Sequence, residues 1–262
     1  MRIATWNVNS VAARLPRLVE WLERVAPDIV CLQETKCADD AFPVEAVAPL
    51  GYAVAAHGDG RWNGVAVLSR VGLDQVARGL PEEPGYPATE ARAIAATAGG
   101  VRVWSIYVPN GREPGHEQYF YKLAWLAALR QTAAAELAAG GGRLFAVLGD
   151  FNVAPTDADV WDPVAFVGDT HVTPPERAAL ADLRDLGLTD VVPRPLKYDR
   201  PFTYWDYRAG MFHRNLGMRI DLVYGNADFA RAVTDAYVDR EARKGKGPSD
   251  HAPVIVDLTV RD

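Results

Sequence analysis

Eight side chains raise the chemical question in this sequence: Asn7 and Asn9 in RIATWNVN, Glu34 in LQETK, Asp150 and Asn152 in LFAVLGDFN, Asp221 in RIDLVY, and Asp250 with His251 in GKGPSDHAPV. Each stands at the end of an apolar run or in the turn beside it. One carboxylate after a strand is an ordinary solvated cap, and one Asp-His pair is a common surface occurrence. Five strand ends that all carry hard oxygen donors, amides or an imidazole are better read together. Such a cluster fits one hard divalent cation, Mg²⁺ with Mn²⁺ as substitute, which keeps coordination positions for water and phosphate oxygens. No thiolates or paired histidines are spaced for zinc.

The elements that must position these residues follow from the pattern of apolar runs. Strands are expected at Arg2–Trp6, Ile29–Gln33, Tyr52–Ala56, Val65–Ser69, Arg92–Thr97, Val101–Val108, Leu144–Leu148, Arg219–Tyr224, Ala232–Val238 and Val254–Val260. Leu15, Leu18, Val19, Leu22 and Val25 recur at helical spacing before Pro27. A second helix is expected over Glu117–Ala139, with Phe120, Leu123, Ala127, Ala134 and Leu137 on its inner face and Gly140 to Gly142 beyond its end. A third is expected near Pro175–Leu186, whereas VPRPLKYDRP (Val192 to Pro201) reads as a loop. RIATWNVN and LFAVLGDFN echo each other, an apolar strand running into polar residues two apart. Two sheets packed face to face would bring such endings to one rim.

Composition narrows the class. The chain has 262 residues, 49% hydrophobic and 24% charged, and reads as a single domain over residues 1–262 able to bury a sizeable core. No apolar run approaches the roughly 18 residues that a membrane helix needs, and the first strand begins too early for a signal peptide, so a cytoplasmic protein is expected. Cys31 and Cys37 are the only cysteines and are read as free and structural. A net charge of −6 does not exclude nucleic acid, because a focused site depends on where charge sits.

Five ordered motifs, LQETK (Leu32 to Lys36), YVPNG (Tyr107 to Gly111), GDFNVAPTDAD (Gly149 to Asp159), RIDLVY (Arg219 to Tyr224) and SDHAPV (Ser249 to Val254), resemble the exonuclease III family of bacterial AP endonucleases. The resemblance runs from the first strand to the last. It implies an α/β fold, a four-layer α/β sandwich of two packed mixed β-sheets flanked by helices, with the active site at one rim. It also implies a Mg²⁺-dependent phosphodiesterase of DNA repair that cuts 5′ to abasic sites and leaves a 3′-hydroxyl. Trimming of blocked 3′ ends and 3′→5′ digestion of duplex DNA belong to the same expectation, as does action as a monomer.

By the same resemblance, Glu34 is the main metal ligand, with Asn7 and Asp250 near the ion. Asp150 orients or deprotonates the attacking water, Asn152 holds a phosphate oxygen or that water, both contact the metal side, Asp221 fixes the tautomer of His251, and His251 faces the scissile phosphate. Tyr107 sits beside the phosphate or leaving group, and Arg92 and Asn110 grip backbone phosphates, the other reading of Arg92 being a surface strand residue. Tyr204, Trp205, Met218 and Ile220 line a pocket for a flipped-out abasic sugar, and which of the two adjacent rings faces inward stays open. Trp62 either adds a minor-groove contact or packs on its own loop. Arg194, Lys197, Arg200, Arg208, Arg214, Arg243, Lys244 and Lys246 form an expected duplex footprint. The alternatives are a superfamily phosphoesterase for another phosphodiester or a phosphoinositide, and a catalytically inactive DNA-binding protein.

Overall fold

A computed structural model describes residues 1–260. Twelve strands follow in chain order: β1 (Arg2–Asn7), β2 (Ile29–Gln33), β3 (Ala53–His57), β4 (Val65–Ser69), β5 (Asp74–Arg78), β6 (Ala93–Ala98), β7 (Val101–Tyr107), β8 (Leu144–Asp150), β9 (Thr189–Asp190), β10 (Asp221–Gly225), β11 (Val233–Val238) and β12 (Val254–Leu258). They form two six-stranded sheets, ordered β11-β12-β1-β2-β4-β3 and β5-β6-β7-β8-β10-β9. Each sheet is mixed, with one parallel pair at its centre, β1 with β2 and β7 with β8.

Inward residues such as Ile3, Cys31, Val67, Val103, Leu148 and Val256 fill the space between the sheets. On the outer face of the first sheet, the helix Val11–Val25 contributes Leu18, Trp21 and Leu22. The helices Glu117–Ala139 and Pro174–Asp185 cover the second sheet through Trp125, Leu129, Leu180 and Leu183. The layers are therefore helix, sheet, sheet, helix, the expected four-layer sandwich. No helix among the described residues is long and apolar enough to cross a membrane.

The inner face of Glu117–Ala139 is not the expected one. Phe120 is 60% exposed and Ala127 is exposed, while Tyr121, Lys122, Trp125, Leu129 and Ala133 are buried. An alanine-rich helix has weak amphipathicity, so its large rings decide which side turns inward. Burying a large apolar side chain is worth about 1.5–3 kcal/mol, far more than an alanine contributes. Two strands escaped the sequence pattern. β5 is an exposed edge strand and β9 has only 2 residues.

Register sets the functional rim. Tyr107 at the end of β7 is level with Asp150 on β8, and Asp150 with Asp221 on β10, so the three lie in one row. Gly149 makes that row possible, because a Cβ there would lie 2.0 Å from the Ile106 carbonyl oxygen. The echo between β1 and β8 has the same outcome in space, since Asn7 and Asp150 end their strands close enough to bond across the two sheets.

Candidate active site

The Asn7 amide nitrogen donates to Glu34 Oε1 at 2.8 Å and to Asp150 Oδ2 at 2.9 Å, fixing the two carboxylates across the gap between the sheets. Glu34 and Asn152 have φ of 51° and 50°, a left-handed backbone that costs about 1–3 kcal/mol and is found where a site dictates direction. Lys36 caps Glu34 Oε2 at 2.8 Å and also donates to Asn9 Oδ1 at 2.6 Å. Burial works against an ionised Glu34, but Lys36 and Asn7 outweigh it and hold the carboxyl below its usual range.

Asp150 is in the opposite position. Burial, which His251 opposes, together with the negative charges of Asp221 and Glu34 pushes its carboxyl up to about 7. Its Oδ1 accepts the Asn152 backbone N–H at 2.9 Å. His251 Nδ1 is 2.8 Å from Asp221 Oδ2, and its Nε2 is 3.7 Å from Asp150 Oδ2. Burial alone would lower the imidazole, but Asp221 and Asp150 raise it to about 10, so it is a cation at neutral pH. Glu34, Asp150 and His251 each offer a ligand atom within 4.8 Å of the others. With Asn7 beside two carboxylates, the oxygen-rich half of this cluster fits a hard divalent ion.

These residues border a cavity of about 160 Å³. Tyr107, Asn110, Asn152 and Asp250 complete its polar wall, and Tyr204, Met218 and Ile220 form the apolar one. Asp221 is fully buried behind His251, and Asn7 is fully buried behind the carboxylates, so both orient other groups. Burial, then the charge of Glu34, raises the Tyr107 phenol well above its usual range, keeping its proton available for donation.

Two expected contacts lie elsewhere. Trp205 is fully buried, its indole N–H on Asn215 Oδ1 at 3.3 Å and the Arg240 guanidinium 4.3 Å above its ring, so it belongs to the core. Tyr204 is the ring at the cavity, its centroid 5.0 Å from that of His251. Arg92 is a buried brace rather than a phosphate grip: it bonds Glu90 at 2.6 Å and lies over the Tyr107 ring at 4.8 Å. Trp62 is 68% exposed, so its ring does not pack away on its own loop. Within the basic footprint, Arg243 is buried against the Trp205 carbonyl; Arg194, Arg208 and Lys244 are exposed but paired with Asp235, Asp206 and Glu241, and Lys197, Arg214 and Lys246 are exposed. Tyr204→Ala is therefore expected to weaken hydrolysis with little change in stability, and Trp205→Ala to cost about 3–5 kcal/mol of stability. Denaturant titration and turnover of both variants check this.

Other contributors gave no sequence signal. Ser249 is fully buried and its hydroxyl bonds the Asn7 carbonyl at 2.7 Å while accepting the His251 N–H at 3.2 Å, joining the two halves of the site. The Thr203 hydroxyl accepts the Ile220 and Asp221 N–H groups, each at 3.1 Å. His171, in the loop before the helix Pro174–Asp185, lines the cavity with its Nδ1 2.5 Å from the Asn152 carbonyl. Burial, then the charge of Lys122, holds the His171 imidazole well below its usual range, so it is neutral.

Comparison with known proteins agrees with this geometry. The chain is 32% identical to exodeoxyribonuclease III of Haemophilus influenzae, a match covering 98% of this chain and 100% of that protein. It is 40% identical, with a TM-score of 0.93, to the 3′ phosphatase NExo from Neisseria solved bound to a product DNA hairpin, covering 99% of this chain and 100% of that one. An AP endonuclease from Archaeoglobus fulgidus is 34% identical with a TM-score of 0.92, covering 99% of this chain and 100% of that one. The profile of the endonuclease/exonuclease/phosphatase family matches residues 4–251, which takes in both halves of the rim from Asn7 to His251, and the chain belongs to that family.

Proposed function

We propose that this protein is a metal-dependent DNA repair phosphoesterase, which hydrolyses the backbone 5′ to abasic sites, clears blocked 3′ ends and digests duplex DNA from the 3′ end. The observation that carries the reading is the meeting of a Glu34–Asp150 carboxylate pair with a cationic His251 at one small cavity. A divalent ion, Mg²⁺ with Mn²⁺ as substitute, would be held by Glu34 and Asp150 with Asn7 and Asp250 beside them, and would supply positive charge opposite the phosphate oxygens. The chain's own groups do the rest. Asp150, whose Oδ2 is held by the Asn7 amide and lies 3.7 Å from His251 Nε2, is placed to orient the attacking water and take its proton. The protonated His251 Nε2 and the Tyr107 hydroxyl donate to phosphate or leaving-group oxygens, and the Asn110 and Asn152 amides hold the group in place. In the same reading the chain acts as one domain and as a monomer in the cytoplasm.

Tyr204, Met218 and Ile220 give an apolar surface that suits a deoxyribose without its base. His171 favours a narrower emphasis. Its imidazole lines the same cavity of about 160 Å³, and in this reading it favours a terminal 3′ group over a sugar continuing into the strand on both sides. The relative bound to product DNA is a 3′ phosphatase. Hairpin duplexes with a 3′-phosphate, an internal abasic analogue or neither test both readings. Release of 3′-phosphate should be fastest, with internal cleavage slower, and chelator should stop both. Hydrolysis that continues undiminished in excess chelator would sink the metal-dependent reading. His171→Gly should raise abasic cleavage relative to 3′-phosphate release by about tenfold or more, the scale on which pocket size alone discriminates.

A further inference from the structure

Behind the Asn110–Asn152 wall lies an ion pair with no route to solvent. Lys122, on the helix Glu117–Ala139, and Glu176, on the helix Pro174–Asp185, both have fully buried side chains and contact each other directly. The Lys122 ammonium donates to the Asn152 carbonyl at 2.7 Å and the Asn110 carbonyl at 3.1 Å, and lies 3.3 Å from the Thr170 hydroxyl oxygen. Glu176 Oε1 accepts the Thr170 hydroxyl at 2.7 Å and the His171 N–H at 3.0 Å, while Oε2 accepts the Thr173 N–H at 3.0 Å and its hydroxyl at 2.7 Å. The Thr170 hydroxyl reaches the Asn110 carbonyl at 3.1 Å. Two chain segments of the cavity wall and the loop carrying His171 are thus tied to one pair of charges.

A buried ion pair is a poor way to gain stability, because desolvating both charges offsets their attraction and apolar residues of the same volume often serve as well. What the pair does achieve is direction. The Lys122 ammonium fixes the backbone carbonyls of Asn110 and Asn152, whose side-chain amides meet at 3.4 Å on the cavity side. Asn152 has a left-handed backbone, and a Cβ at Gly111 would come within 2.8 Å of the Thr170 hydroxyl and 3.0 Å of Lys122 Cδ, so the loop closes tightly on the network.

We propose that Lys122, working with Glu176, is a positioning residue for phosphoester hydrolysis, holding the Asn110 and Asn152 amides at the angle that engages the phosphate. The proposal rests on the hydrolytic reading above. Its test compares wild type with Lys122→Met/Glu176→Gln, which removes both charges at similar volume, and with Thr170→Val, which keeps both charges and removes the hydroxyl that touches Lys122, Glu176 and the Asn110 carbonyl. On the 3′-phosphate hairpin the double variant should lose about 100-fold in kcat, the cost of a small misplacement of reacting groups, with KM and melting temperature nearly unchanged. Thr170→Val should lose a smaller part of kcat in the same pattern. Hydrogen exchange, which needs no substrate, should speed up at residues 108–112 and 150–154 in both variants. An inactive wild type would overturn the hydrolytic reading, while the exchange result would still decide whether the network orders these loops. Normal kcat in the folded double variant would overturn the proposal. So would a double variant that cannot fold combined with a Thr170→Val enzyme of normal kcat and exchange.

Discussion

Glu34→Gln is expected to lose at least about 100-fold of its turnover at millimolar Mg²⁺, because removing merely an outer partner of a metal ligand already costs about 10–100-fold. The substitution keeps the shape of the side chain and removes the anionic oxygen that Asn7 and Lys36 hold in place. It also removes one of the negative charges that hold the proton on Asp150. Asp150 should therefore ionise more easily in the variant, while the fold loses the attraction by which Lys36 and Asn7 hold the Glu34 carboxylate below its usual range. Calorimetric titration of Mg²⁺ or Mn²⁺ and thermal melting separate the two effects: weak metal binding with a modestly lowered but still cooperative melting transition is the expected result. Undiminished metal affinity would remove Glu34 from the ligand set.

Proton linkage sharpens that experiment. Asp150 in the folded protein keeps its proton up to about pH 7, well above the ordinary carboxylate range. A cation that binds the ionised carboxylate must displace that proton. Metal affinity should thus rise with pH below about 7, by up to tenfold per unit, and level off above it. The sign follows from the raised value: an ionised, uncompensated Asp150 also destabilises the metal-free fold as pH climbs through the same range. Added metal should raise the melting temperature more at pH 8 than at pH 6.

Most of the scaffold was legible because apolar strands and the polar residues closing them are adjacent in the chain. β2 and β4 match their expected spans, and Asn7, Glu34, Asp150 and His251 stand at ends that local pattern alone identifies, whereas Asp221 lies inside its expected strand and in the structure opens β10. The residues left open, passed over or misjudged are those whose surroundings come from distant parts of the chain. Tyr204 and Trp205 alternate in an extended segment and so face opposite ways, and only the packing of Arg240 and Asn215 decides which one is core. Lys122 has no local signal on an alanine-rich helix, and it is buried by partners at Asn152, Thr170 and Glu176, up to 54 positions away. His171 lies in a loop with no apolar rhythm, and only contact with Asn152 brings its ring to the cavity. Arg92 carries the charge expected of a phosphate grip, but Glu90 neutralises it and the Tyr107 ring covers it.

Asp221→Asn and His251→Ala should each lower turnover by about 10²–10⁴, and the double variant should be hardly worse than the poorer single one. The reason lies in how the pair is built. Asp221 is fully buried, accepts from His251 Nδ1 at 2.8 Å and has no second partner on its Oδ1, so its charge is directed at the imidazole. That charge, with Asp150, raises His251 to about 10 and keeps a proton on the nitrogen facing the cavity. Asparagine preserves the shape and can accept the same hydrogen bond through its carbonyl, but it withdraws the charge. The imidazole then titrates lower, and the alkaline limb of the pH–rate profile should move toward neutrality. Stability carries the same signature. A histidine whose folded value exceeds the unfolded one of about 6.5 contributes its full stabilisation below that pH and loses it as pH rises toward 10. Wild type should therefore lose melting temperature between pH 6.5 and 10 more steeply than Asp221→Asn or His251→Ala. Were Asp221 only a cap on β10, its loss would show as a pH-independent fall in melting temperature with near-normal turnover. Additive kinetic losses in the double variant would likewise separate the two residues. Turnover, pH–rate profiles and melting curves of the three variants therefore decide between a cationic acid-base unit and two unrelated side chains at one strand edge.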